Sequence, residues 1–419
     1  MVAGKLKNLK YMCAVLLILA ATPSFTAQAS VNITAPVAVV MCHSTGDILY
    51  DRYMSRRWVP ASMTKSLTAF ITYEEIEAGN LSLDTYLRVS ANAARFSQDR
   101  RVEGSFVPLQ EGADITVDVL LQLTMLSSAN AACVVLAEHI SGSEEAFVER
   151  MNQTAYRLGM YTSFTNSHGA IAHHSDALST AILVREFITR YPDILRITSM
   201  SSMRFGSSTY QNTNRLLPGR TMPFDGMDGF KTGSLRAAGW NHSVTAVRDG
   251  RRIIAVVMGT PNVDTAHREV RTLVEHGFAE LAQRDAERLR QEQEAADRVR
   301  LFYDSILIPL TSPAVIIEGE LFLPFYAVFR PLGFELSWDS YSQVATATHP
   351  DGRTSSLFVS RPVAFANGNA ISLELPARII ENRVYVPLQF IEAVTGASAT
   401  WDMDTGVTQF LTPVVLSLT

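Results

Sequence analysis

Between Ala279 and Arg300 the chain contains neither glycine nor proline and is built mostly of Glu, Arg, Gln and Ala. Such a composition forms a helix with solvated faces, and pairs four apart such as Glu294 and Arg298 support it without implying a site. With 419 residues the chain also exceeds one ordinary hydrophobic core, so two domains are expected on either side of this helix. The boundaries read as a first domain over 30–282, a charged helical linker over 283–300 and a smaller domain over 301–419. The charged fraction of 18% and hydrophobic fraction of 47% are those of a globular protein, and no basic excess points to nucleic acid.

At the other end, Lys5, Lys7 and Lys10 precede an apolar run from Met12 to Ala21 and an Ala27-Gln28-Ala29 site. That order is a secretory signal peptide, residues 1–29, whose apolar stretch is too short to span a bilayer. Cleavage is expected near Ala29 and places the mature protein outside the cell, at the cell wall or the outer face of the cytoplasmic membrane. Cys13 leaves with this segment; Cys42 and Cys133 lie in apolar runs and read as buried thiols, with a disulfide undecided from sequence.

The first domain opens with β-rich runs, Val37 to Met41 and Asp47 to Tyr50, flanking Ser44-Thr45-Gly46 as a hairpin. It leads to Pro60-Ala61-Ser62-Met63-Thr64-Lys65 and an apolar, helix-like run. If Ser62 opens that helix, Lys65 lies one turn on and on the same face. A serine is a weak nucleophile, and a lysine deprotonated by burial can activate it. Taken alone the pair is also an ordinary capped helix start.

Phe96 to Gly104, with Asp99-Arg100-Arg101, reads as a surface loop. Val117 to Leu158 then reads as an all-helical insert of three helices. Its first break, Ser128-Ala129-Asn130, leaves polar side chains between buried helices; it is either a helix-helix turn or a site. Further on, Gly226 to Lys231 leads into Thr232-Gly233, and strands Ser243 to Val247 and Ile253 to Met258 flank the hairpin signal Asp249-Gly250. An antiparallel sheet is expected, with Lys231 and Thr232 aimed at a ligand and Gly233 admitting a substrate backbone.

Beyond the charged helix the sequence repeats itself. Leu323-Pro324-Phe325, Gly333 and Trp338-Asp339 recur at the same spacing as Val386-Pro387-Leu388, Gly396 and Trp401-Asp402. Each copy reads as strand, short helix and strand, and the tryptophans read as core rather than as sugar platforms.

Ser62-x-x-Lys65, Ser128-x-Asn130 and Lys231-Thr232-Gly233 stand in the order and context that mark penicillin-binding proteins and class A β-lactamases. With Ser167-His168-Gly169 and Asp228 to Gly233, the stretch from Val37 to Phe278 resembles the low-molecular-weight D-alanyl-D-alanine carboxypeptidases. The resemblance implies an α+β fold of the β-lactamase/transpeptidase type, an antiparallel sheet flanked by helices with a helical subdomain, followed here by a small α+β repeat domain. It implies Ser62 as nucleophile on the D-Ala-D-Ala end of peptidoglycan stem peptides, Lys65 as base and Ser128 as proton relay. Asn130 would hold the substrate amide, and Lys231 and Thr232 its terminal carboxylate, with Gly233 among the substrate-binding residues. The N–H groups of Ser62 and Ser234 would form the oxyanion hole, and β-lactams would acylate Ser62.

Three features depart from the family. Ala129 replaces a usual Gly or Asp. The family arginine near the last helix has no in-register match, Arg268 being near but displaced. No Glu-x-x-Leu-Asn segment follows the second motif, which argues against a class A β-lactamase. The repeat resembles the stalk-type module named after the N-terminal domain of copper amine oxidases. With His349 its only histidine and no cysteine, copper is not expected, nor any other cofactor or metal. Two other readings use the same residues: a D,D-endopeptidase, and a non-catalytic wall-binding protein that contacts the wall through 301–419.

Overall fold

The computed structural model describes residues 31–99, 103–402 and 406–411. The signal-peptide stretch and the Arg100-Arg101 pair lie outside them. The chain divides into two compact units between Ala279 and Glu280.

The first unit is built on five strands: β1 (Val37–Cys42), β2 (Ile48–Arg52), β3 (Met227–Leu235), β4 (Gly239–Arg248) and β5 (Arg251–Thr260). Their order across the sheet is β2-β1-β5-β4-β3, so the two ends of the unit meet at the centre and β3 forms an edge. Every pairing is antiparallel, with Lys231 opposite Ser243 and Thr232 opposite His242. The β4–β5 hairpin turns at Asp249 and Gly250, both with φ near +50° to +75°, the pair of left-handed residues that a two-residue hairpin requires.

Six helices complete what positions the site: α1 (Lys65–Glu77), α2 (Val117–Met125), α3 (Asn130–Ser141), α4 (Glu144–Arg157), α5 (Ala177–Arg190) and α6 (Val263–Asp297). The side chains of Thr116, Ser143 and Asp176 accept N–H bonds at the starts of α2, α4 and α5. Helix α3 stops at Gly142 in the left-handed conformation. The expected helical insert is therefore α2 to α4. α1 is buried on every side from Lys65 to Tyr73, as befits a central helix. Its polar side chains turn to backbone acceptors: Thr68 donates to the Ser167 carbonyl and Thr72 to that of Thr68. Cys42 and Cys133 are buried free thiols. Among the described residues no helix is long and apolar enough to cross a membrane.

The expected charged helix is the later part of α6. It is not polar throughout: Ala295 and Ala296 are buried in the core of the second unit. In that unit each sequence repeat folds as a strand, a short helix and a strand: Glu320–Pro324, Phe325–Phe329 and Glu335–Asp339, then Arg383–Pro387, Leu388–Thr395 and Ser398–Asp402. The first strands of the two copies pair antiparallel, with Leu323 opposite its own counterpart Val386. The copies thus meet about a local two-fold axis. Phe325, Phe329 and Phe390 fill the core there, and Trp338 and Trp401 pack against it half-buried.

In the first unit Phe187 is fully buried, with its ring edge-on to Phe70 at 5.4 Å and to Phe230 at 5.7 Å. Phe187→Ala is expected to lower unfolding free energy by about 3–5 kcal/mol in denaturant titrations, the usual cost of emptying a packed aromatic site. A loss under about 1 kcal/mol would show that this cluster does not hold α1 and α5 on the sheet.

Candidate active site

Ser62 lies in a single 3-10 turn, Ala61–Thr64, that runs directly into α1. The turn is fixed by two glycines from distant parts of the chain. A Cβ on Gly169 would overlap the Ala61 carbonyl oxygen, and one on Gly233 would stand 2.7 Å from the Pro60 oxygen and 3.0 Å from the Ser62 nitrogen. Gly233, expected to make room for a substrate backbone, lines the cleft and also lets the Ser62 turn pack directly against β3.

One turn on from Ser62, Lys65 is completely buried. Its Nζ donates to Ser62 Oγ at 3.0 Å, to Asn130 Oδ1 at 2.8 Å and to the carbonyl of His168. Burial drives the Lys65 ammonium down from the ordinary lysine value to about 8. The three acceptors match an ammonium. A neutral amine has only two N–H bonds, so on losing a proton Lys65 can keep Asn130 and His168 and turn its lone pair to the Ser62 hydroxyl. The geometry therefore places an amine that can serve as a base against a hydroxyl that can serve as a nucleophile.

The acceptors are themselves held. The Ser167 N–H and hydroxyl both donate to Glu144 Oε1, at 2.9 and 2.6 Å, which pins the Ser167-His168-Gly169 loop to the first turn of α4. His168 is neutral, because burial and the nearby Lys65 charge press its pKa down to about 3, and its Nδ1 accepts the Ala170 N–H. Asn130 opens α3, and its Nδ2 donates to the Glu103 carbonyl at 3.2 Å. Gly104, at φ +131°, passes so close to Asn130 that a Cβ would strike the amide. Ser128 stands before Asn130 in the left-handed region, φ +62°, with Ala129 wholly buried between them.

Lys231, also fully buried, donates from Nζ to the Thr232 carbonyl at 3.1 Å. Burial first, then the charge of Lys65, hold its pKa well below the lysine norm. Thr232 donates its hydroxyl to Thr213 Oγ1 at 2.6 Å. Ser62, Ser128, Thr232, Gly233 and Ser234 all line one cleft of about 810 Å³. Arg268 does not line it: the side chain is exposed and donates to Thr265 Oγ1 on its own helix. The wall near α6 is instead made by Val263, Ala266 and His267, with Arg215 and Arg220 from the segment before β3. Sequence reasoning missed Glu103, Gly104, Glu144, Thr213, Arg215 and His267; only Glu144, a carboxylate in a helix first turn, carried a local signal.

Two outcomes follow from this geometry. Because deprotonation of Lys65 makes the base, the rate at which a penicillin acylates the protein should rise about tenfold per pH unit below about 8 and level off above it. A rate flat from pH 6 to 9 would separate Lys65 from the chemistry. Gly233→Ala should displace β3 from the Ser62 turn, slow that acylation about 100-fold and lower the melting temperature as well; an unchanged rate would mean the turn tolerates the side chain.

A family model described as D-alanyl-D-alanine carboxypeptidase matches residues 23–262, and one described as copper amine oxidase N-terminal domain matches residues 303–410. The chain is 35% identical over 242 residues to the D-alanyl-D-alanine carboxypeptidase DacD of Escherichia coli, covering 57% of this chain and 62% of the relative. To the Salmonella typhimurium DacD it is 32% identical, covering 65% and 71%. The chain thus spans about 62% of the length of the first of these relatives. Among solved structures, penicillin binding protein 5 of Haemophilus influenzae aligns at 31% identity with a TM-score of 0.56, covering 59% of this chain and 72% of that one. Penicillin-binding protein D2 of Listeria monocytogenes, solved with cefotaxime bound, aligns at 26% identity and 0.54, covering 60% and 100%. The α+β fold of the first unit is that of these penicillin-binding proteins, the second unit is a copper amine oxidase N-terminal-like domain, and the chain belongs to the D-alanyl-D-alanine carboxypeptidase family of serine peptidases.

Proposed function

We propose that the protein is a serine D-Ala-D-Ala carboxypeptidase that trims the terminal D-alanine from peptidoglycan stem peptides and so limits their cross-linking. The observation that carries this reading is the buried Lys65 Nζ, 3.0 Å from Ser62 Oγ and tied to two further acceptors. Ser62 Oγ attacks the carbonyl carbon of the penultimate D-alanine as its proton passes to neutral Lys65. The N–H groups of Ser62 and Ser234, on the two backbones that Gly233 brings together, receive the oxyanion; such donors are often the largest single contribution to acyl transfer.

Ser128 then delivers its proton to the leaving nitrogen and is re-protonated by Lys65, which returns to the neutral amine as free D-alanine departs. Water attacks the acyl-enzyme, giving up its proton to Lys65, which passes a proton to Ser62 Oγ as the acyl bond breaks and the hydroxyl is restored. Asn130 orients the substrate amide while Lys231 and Thr232 donate towards the terminal carboxylate. A β-lactam enters the same path as a cyclic analogue of the D-Ala-D-Ala amide and remains on Ser62. Residues 30–282 carry this chemistry, the helix over 283–300 connects them onward, and 301–419 contact the cell wall. Secretion through a signal peptide cleaved near Ala29 completes the reading.

Ser62→Ala is expected to abolish D-alanine release from a peptide ending in D-Ala-D-Ala, with the melting temperature of the protein retained. Release at the wild-type rate would sink the proposal. Product analysis on cross-linked muropeptides separates it from D,D-endopeptidase action.

A further inference from the structure

We propose that Arg215 is the cation that recognises the terminal carboxylate of the peptide, a specificity-determining residue for the activity proposed above, on which this inference rests. A free carboxylate in the cleft needs a full positive charge with directed donors. Lys231 supplies a hydrogen bond but a poor charge, since it is fully buried beside a second lysine and its Nζ is engaged by the Thr232 carbonyl. Arg268 is exposed and lies outside the cleft lining.

Arg215 lines the cleft and its backbone is held at both the N–H and the carbonyl. Its N–H donates to His267 Nε2 at 3.0 Å, and its carbonyl accepts from the Met222 N–H at 2.9 Å. His267 is buried, and its Nδ1 faces the Val263 carbonyl at 2.7 Å, so Nδ1 carries the proton and Nε2 is left as the acceptor for Arg215. Two residues before Arg215, Thr213 takes the hydroxyl bond of Thr232, which joins this segment to β3 at the point where the carboxylate is to be bound.

The Arg215 side chain, 38% exposed, gives Nη1 to Asp264 at 2.7 Å, a contact that sets its direction while the planar fork retains other donors for an anion. Of the other arginines of the lining, Arg220 has its N–H on the Leu217 carbonyl, Nη1 on the exposed Gln211 and a buried Nε, which makes it the competing cation that the test must separate, and Arg236 has its N–H on Glu103 while its side chain is exposed.

The test compares kcat/KM on a peptide ending in D-Ala-D-Ala with kcat/KM on its C-terminal amide, for the wild type, Arg215→Ala and Arg215→Gln. The wild type should prefer the free acid. Each variant should lose about 10- to 100-fold on the acid and little on the amide, collapsing the acid-to-amide ratio. Retained amide turnover shows that the variant is folded. A wild-type ratio in both variants would overturn the inference, as would a collapse seen in Arg220→Ala or Arg268→Ala but not at Arg215. A wild type that releases no D-alanine from either peptide would instead remove the parent reading, and the inference with it.

Discussion

A lysine with no access to water, held by three acceptors from three separate parts of the chain, is the constraint on which the first unit depends. Removing an ammonium from water costs several kcal/mol unless partners replace the lost hydration. Here the partners are Ser62 from the turn before α1, Asn130 from the start of α3 and a carbonyl from the loop after α4. Each must arrive within hydrogen-bond distance at once. The close backbone approaches at Gly169 and Gly233, and the anchoring of Ser167 by Glu144, are what bring them there.

The same burial makes the lysine useful. With its pKa brought to about 8, Lys65 is near enough to neutrality to take a proton and return it within one catalytic cycle. It also binds its proton less tightly folded than unfolded. Between about pH 8 and the ordinary lysine value the unfolded chain holds more protons, so this group's contribution to stability grows as pH rises through that window. Lys231, buried nearby, is held well below the lysine norm by its burial first and then by the charge of Lys65. A distinct arginine at the carboxylate end of the cleft resolves that electrostatic difficulty.

Much of this was legible in the sequence because it is local. Ser62 and Lys65 share a helix face by spacing, Asp249-Gly250 can adopt few conformations other than its hairpin turn, and the repeats are related by identical spacing of Pro, Gly and Trp. What was not legible depends on chain segments far apart. No pattern near Ser62 announces that Gly233 and Gly169 will press against its turn. The register along α6 shows the difficulty well. From Val263, the positions three and four further on, Ala266 and His267, line the cleft, whereas Arg268 lies another 100° or so round the helix and faces solvent. Counting back from Gly277 finds no arginine in register, and the displaced Arg268 falls on the solvent face. Arg215 carried no signal at all, since its place is set by a hydrogen bond to a histidine 52 residues later.

The account turns on Ser62 being a nucleophile that Lys65 activates, and mass spectrometry of the protein treated with benzylpenicillin tests this most directly. In the wild type the adduct should map to the tryptic peptide from Trp58 to Lys65, at Ser62. In Lys65→Gln it should form at least about 100-fold more slowly, the scale on which a positioned base contributes. An adduct on another serine, or one that forms on Ser62 equally fast without Lys65, would contradict the account.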